Sequence, residues 1–310
     1  MADDAAIAQL VIYVRGSRVS NILLLPTILA IVAPYVIFAE PLRLSQTFGF
    51  GAAATGLAGL CVFVASLIFN DICDADADQI VHPERPLATG VCTPRIMAGW
   101  GFALYGAAAL VAWLWSPVAL LPVLLQLVFV LSHYGFFKKR ATTAGSSEVL
   151  TSLQNAPIPI FGLAMALPAA GHPPTPLAWL LVALLTGVFY FADVASDVVS
   201  GILDQAGDSI SGVATVAVGR GEKAAAGAAV AFWAACVACS VAFLYAAVSR
   251  VGLVLAVLAG IMATTFFVIR LIARTDTEVA VHRAYLSLSV FPVFFVLAAA
   301  ATQLSEIGAP

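Results

Sequence analysis

The chain has 310 residues, of which 62% are hydrophobic and only 10% charged, with a formal net charge of −3 and a mean hydropathy of +1.02. A soluble domain carries roughly a quarter of its residues charged, so this composition excludes a water-facing globular protein and places the chain in a bilayer. Nothing in the charge balance offers a surface for nucleic acid.

The start, MADDAAIAQL, is acidic and polar, unlike the basic opening of a cleaved signal peptide. The first apolar segment is therefore expected to stay. About twenty helical residues cross a hydrocarbon core roughly 30 Å thick, and nine segments are long enough. They lie near 19–39, 50–70, 96–115, 118–137, 149–169, 176–198, 224–247, 252–274 and 284–304. Runs such as LLPVLLQLVFVL show none of the alternation of barrel strands. The expectation is an all-α polytopic fold, with nine transmembrane helices around a central cavity. It reads as one integral-membrane domain over 1–310, with halves of about 1–145 and 146–310 that each carry an acidic motif.

The basic residues orient these spans. Arg15, Arg18, Arg85, Arg95, Lys138, Lys139, Arg140, Arg220, Lys223, Arg270, Arg274 and Arg283 fall on the face of the N-terminus, leaving only Arg43 and Arg250 opposite. The positive-inside bias then predicts a cytoplasmic N-terminus and cytoplasmic loops after the second and sixth spans. An odd span count puts the C-terminus outside. Trp113, Trp115 and Trp179 sit at the opposite ends, as interfacial aromatics do. Cys236 and Cys239 form a C-x-x-C within AFWAACVACS, with no His or second pair nearby. Like Cys61, Cys73 and Cys92, they read as small packing residues.

The second span ends in NDICDADADQIVHPERPLATG, residues 70–90. Asp71, Asp74, Asp76, Asp78 and Glu84, with Asp193, Asp197, Asp204, Asp208 and Glu222, make ten of the seventeen acids, all at the cytoplasmic ends of spans two and six or just beyond. A carboxylate at membrane depth costs on the order of 2.5–3.5 kcal/mol, so such clustering calls for a positive partner. At about 100° per residue, Asp71, Asp74 and Asp78 share a helix face flanked by Asn70, and Asp76 points away. Asp193 to Asp208 spans roughly 22 Å of helix, too long for one site, with Gly201 or Gly207 as candidate breaks. An EF-hand is excluded, because that loop needs Gly at its sixth position and Glu at its twelfth, where Gln79 and Arg85 stand. Two acidic helix ends on one membrane face suit Mg²⁺ shared with substrate phosphates. Arg18, Arg85, Lys138, Lys139, Arg140, Arg220 and Lys223 are available for the remaining phosphate oxygens. The combination points to a substrate with a polyphosphate head and a hydrocarbon tail.

At these residues the chain resembles the UbiA superfamily of intramembrane prenyltransferases. Asn70, Asp71, Asp74 and Asp78 match N-D-x-x-D-x-x-x-D, and Arg85, Pro86 and Gly90 match the R-P-x-x-x-G that follows. Asp204, Asp208, Gly212, Thr215 and Gly219 match the second acidic signature. Tyr134 and Lys138 match Y-x-x-x-K, and Arg18 and Asn21 match an R-x-x-N. Relatives often carry a polar pair such as Lys-Asp just before the second motif, where this chain has Ser200 and Gly201; Asp197 is a candidate for the missing carboxylate.

The resemblance implies Mg²⁺-dependent transfer of an isoprenyl group from an isoprenyl diphosphate to a lipophilic acceptor. Asn70, Asp71, Asp74, Asp78, Asp204 and Asp208 would hold Mg²⁺, with Asp197 as an additional ligand. Arg18, Asn21, Arg85, Lys138, Arg140 and Tyr134 would hold the diphosphate. Phe69, Tyr134, Tyr190 and Phe191 are candidates for facing an allylic cation. His82 and His133 read as structural, and Asn155 in LQNAPIPIFG as the cap of a kink. Three other readings remain open: a terpene cyclase on the same scaffold, a cation or phosphate transporter, which would place its charges nearer the midplane, and a scaffold that has lost catalysis.

Overall fold

The computed structural model of the chain describes residues 2–16, 46–138, 143–170, 173–247, 251–273 and 278–307. Helix α1 (Ala2–Gly16) precedes α2 (Gln46–Val81) and α3 (Pro94–Trp115). Next come α4 (Leu120–Ser132), α5 (Ser146–Ser152), α6 (Ile158–Ala170) and α7 (Pro176–Leu203). Two short helices, α8 (Gln205–Ser211) and α9 (Val216–Arg220), lead into α10 (Glu222–Ala247), α11 (Val251–Ala273) and α12 (Glu278–Ile307). No strand occurs among the described residues.

Among the described residues, six helices are long and apolar enough to cross a membrane: 51–81, 94–115, 117–135, 176–203, 222–246 and 278–298. Shorter apolar stretches run over 158–168 and 257–271. The expected first span, near 19–39, lies outside the described residues.

Two expectations are corrected. The fifth span is not one helix, because α5 and α6 are separated by turns over residues 153–157. Pro157 and Pro159 lack the N–H groups that a continuous helix would need there. The glycines named as breaks after the sixth span, Gly201 and Gly207, both lie inside helices. The chain turns instead at Asp204, whose φ of −93° and ψ of 7° end α7 and open α8.

The second span is longer than its apolar run. α2 carries its helix through all four aspartates to Val81, stopping where Pro83 disfavours helix for the residue before it. The loop that follows folds under α1. Leu87 and Cys92 are buried there with Tyr13, Ile68 and Met97, and Gln9 of α1 accepts the backbone N–H of Thr93 at the start of α3. Gly90 in this loop has φ of +75°, a conformation that disfavours any residue with a Cβ. That accounts for the glycine spaced five after Arg85.

The most extensive packing is α7 on α10, then α2 on α3, α11 on α12, and α12 on α7. One apolar core gathers on α7, α10 and α12 and a second on α2, α3 and α4, and α6 contributes to both, through Leu163 and Ala166 to the first and Phe161, Ala164 and Met165 to the second. Cys236 and Cys239 are free thiols on the α7–α10 contact; the Cys236 thiol donates to the Val188 carbonyl.

Candidate functional site

The acidic ends of α2 and α8 meet. A Cβ built on Gly207 would stand 2.6 Å from Cγ2 of Val81 and 3.6 Å from Cβ of Ala77. Only a residue without a side chain lets α8 lie this close against the tip of α2. The approach bounds a polar cavity. Asn70, Asp74, Ala77, Asp78 and Val81 line one wall, and Asp197, Ser200, Gly201, Asp204, Gly207 and Asp208 another. Between them stand Arg85, His82 and Lys138, with Ser147, Glu148 and Thr151 of α5.

The cations are already engaged. Arg85 Nη1 donates to Asp78 Oδ1 at 2.6 Å, and both side chains are largely buried. Lys138 Nζ donates to Asp74 Oδ1 at 2.5 Å and stands 5.4 Å from the centre of the Tyr134 ring. His82 Nε2 lies 3.6 Å from Asp204 Oδ1. Lys138 caps a turn of π-helical geometry, His133–Phe137, and its backbone N–H donates to the His133 carbonyl. Burial alone would lower its pKa, but the neighbouring Asp74 carboxylate outweighs that and holds it above the ordinary lysine range.

Asp208 titrates at about 7. Burial raises it, the charge of Asp204 adds to the rise, and Lys138 opposes it. Glu148 is buried, and burial lifts its carboxyl although the backbone N–H of Val216 donates to Oε1 at 2.8 Å.

The sequence-predicted residues divide into four groups. Asn70, Asp74, Asp78, Asp204, Asp208, Arg85, Lys138 and Asp197 share the cavity wall. Asp71 is not on that wall: it is buried beside α1 and accepts a hydrogen bond of 2.7 Å from the Tyr13 hydroxyl. The cavity face of α2 runs through residues 70, 74, 77, 78 and 81. At about 100° per residue, Asp71 stands roughly 75° from its centre. Tyr134 is likewise behind the wall, its ring near Lys138 and its hydroxyl exchanging hydrogen bonds with Gln154. Arg18, Asn21 and Arg140 lie outside the described residues.

Among the aromatic candidates, Phe69 packs edge-on against Phe102 at 5.1 Å within the α2–α3 core. Tyr190 and Phe191 pack on each other at 5.2 Å. None of the three lines the cavity. His133 is buried with Nε2 at 2.8 Å from the Thr151 hydroxyl. Sequence reasoning left out Glu148, Thr151 and His82. The available signal for Glu148 was an acid opening an otherwise apolar segment, GSSEVL.

The donor set fits a hard divalent cation. Six carboxylates line the wall with the Asn70 amide and four hydroxyls, and Oδ2 of Asp78 and Oε2 of Glu148 are buried without a hydrogen-bond partner. Among the described residues, no three acidic, His or Cys side chains form a ready cage. Mg²⁺ takes one or two carboxylates and completes its shell with water and phosphate.

A family model for the UbiA prenyltransferase family matches residues 23–291. A digeranylgeranylglyceryl phosphate synthase of Halobacterium salinarum is 30% identical over 177 residues, covering 56% of this chain and 59% of the relative, so the match spans little more than half of either protein. A solved UbiA homologue from Aeropyrum pernix K1 superposes with a TM-score of 0.67 at 20% identity, over 91% of this chain and 98% of that one. A homologue from Archaeoglobus fulgidus, solved with GPP and Mg²⁺, superposes at 0.60 and 14% identity, over 93% and 99%.

Proposed function

The chain belongs to the UbiA prenyltransferase family, and from that premise we propose that it transfers an isoprenyl group from an isoprenyl diphosphate to a lipophilic acceptor within the membrane. The observation that carries this reading is the meeting of two acidic helix ends, remote in sequence, around Arg85 and Lys138 in one cavity. A structural neighbour that binds GPP and Mg²⁺ supports the same substrate class and ion.

Asp74, Asp78, Asp204 and Asp208, with Asn70, would hold Mg²⁺, and Asp197 would add a further oxygen. Bound there, the ion would supply Lewis acidity and neutralise the leaving diphosphate. Arg85 and Lys138 would donate charge-assisted hydrogen bonds to its oxygens. Both are held by single carboxylate oxygens, so they are positioned before substrate arrives. Asp71, gripped by Tyr13, would fix the tip of α2 from behind.

The C1–O bond breaks and its electron pair leaves with the diphosphate. The acceptor's lone pair or π electrons then form the new bond to C1, and its proton passes to an oxygen of the cavity. The packed helices on the membrane side of the cavity would shield an allylic cation from water. The distribution of basic residues supports a cytoplasmic N-terminus and a cavity opening to the cytoplasmic face.

The test is purified protein with geranylgeranyl diphosphate and Mg²⁺, with and without a membrane lipid extract, and products read by mass. A prenylated lipid formed only with the extract is the expected result. A cyclic hydrocarbon formed without it would make the protein a terpene cyclase, and no consumption in either arm would refute both.

A further inference from the structure

A second, smaller cavity lies deeper in the helix bundle and is lined mostly by apolar side chains. Gly59, Val62 and Phe63 of α2, Pro122, Val123 and Gln126 of α4, and Asn155, Pro157, Ile158 and Phe161 at the α5–α6 break form its lining. No charged side chain lines it. Phe63 to Asn70 is seven residues along α2, so this cavity sits about 10 Å below the acidic one. The chain also passes from one to the other between Thr151 and Asn155.

The break between α5 and α6 turns a layer of polar side chains inward at this boundary. Thr151 meets His133, Ser152 donates to Asp197 at 3.3 Å, Gln154 meets Tyr134, and Asn155 Nδ2 donates to Asp193 Oδ2 at 2.8 Å. Irregular backbone at membrane depth is tolerated where it lines a cavity. The last contact fixes an orientation. A carboxylate only accepts, so the Asn155 amide must turn its nitrogen to Asp193 and keep Oδ1 as its acceptor edge.

We infer that this cavity takes the apolar body of the acceptor, and that Asn155, oriented by Asp193, selects an acceptor whose polar end is a neutral hydroxyl. The inference rests on the transferase reading. A hydrocarbon tail alone would leave the Asn155 carbonyl without a donor, whereas a hydroxyl satisfies it. A phosphate-bearing acceptor would bring negative charge to a wall without a cation and with Asp193 directly behind it, which disfavours it. Asn155 is a specificity residue in this account, and Asp193 a positioning residue.

The probes are 4-decylphenol, its methyl ether and its phosphate monoester, titrated against the full chain in nanodiscs with empty nanodiscs as the blank. The phenol is expected to bind about tenfold more tightly than the ether or the phosphate, in keeping with a lost buried hydrogen bond. Asn155→Leu is expected to bring the phenol-to-ether ratio close to one while Mg²⁺-dependent diphosphate binding stays unchanged. Asp193→Asn frees the amide to flip, so the ether should gain on the phenol, a change that loss of stability alone would not produce. Equal binding of phenol and ether by the natural chain, tighter binding of the phosphate, no saturable binding, or an unchanged ratio in Asn155→Leu would each overturn the inference. Diphosphate release from geranylgeranyl diphosphate in the same preparation reports separately on the transferase reading.

Discussion

Replacing Gly207 with alanine tests whether the two acidic helix ends must touch. The added Cβ would stand 2.6 Å from Val81 Cγ2, whereas carbon atoms rest about 3.5–4.0 Å apart. Valine on a helix has little χ1 freedom, so α8 must move off α2 by about 1 Å. Overpacking of this kind costs about 1–3 kcal/mol, and an ångström of misplacement in a catalytic constellation costs about a hundredfold in rate. Gly207→Ala is therefore expected to lower kcat/KM for isoprenyl diphosphate about a hundredfold in a protein that still folds. Val81→Ala removes the atom in the way, and the double variant should recover to within about tenfold of the natural chain, a coupling expected only of residues in contact. The assay is Mg²⁺-dependent diphosphate release in detergent, with thermal unfolding as the control. Unimpaired turnover in Gly207→Ala, or no rescue by Val81→Ala, would refute the reasoning.

Three further outcomes are expected. Lys138→Met removes the partner of Asp74 and a donor to the diphosphate, so KM should rise about tenfold to a hundredfold. Its melting temperature should fall without Mg²⁺ and recover when Mg²⁺ is added, because the ion replaces the lost positive charge. Tyr13→Phe strips a hydrogen bond from buried Asp71 and should cost about 1–3 kcal/mol in a denaturant titration, with Mg²⁺ affinity changed far less than in Asp74→Asn. Asp208, titrating at about 7, is protonated below that pH and cannot ligate. Mg²⁺ affinity measured without diphosphate should then fall by up to about tenfold per pH unit below 7, be flat above it, and lose this dependence in Asp208→Asn. The same raised pKa favours folding at acid pH, a contribution lost as the pH rises through 7.

Much of the fold was legible because helical spans in lipid need long apolar runs, and these stand plainly in the sequence. The pairing of Asp74 and Asp78 on one face followed from helical spacing alone. The displacement of Asp71 did not, because a wheel gives angles but not which neighbour claims an edge position; here α1 claims it through Tyr13. The break at 153–157 was half visible in Asn155 and the two prolines, but an apolar count smooths over such a gap. The turn at Asp204 was hidden for another reason. Glycines are the expected breaks, yet Gly207 serves helix contact and Gly201 faces Thr215, so the chain bends at the aspartate between them.

The most direct test is a structure of the protein with Mn²⁺ in place of Mg²⁺ and an unreactive isoprenyl thiodiphosphate, with the metal located by anomalous scattering. The account predicts metal peaks between the diphosphate and the carboxylates of both helix ends, Asp74 and Asp78 on one side and Asp204 and Asp208 on the other. Metal bound to one end alone, or a diphosphate seated outside this cavity, would contradict it.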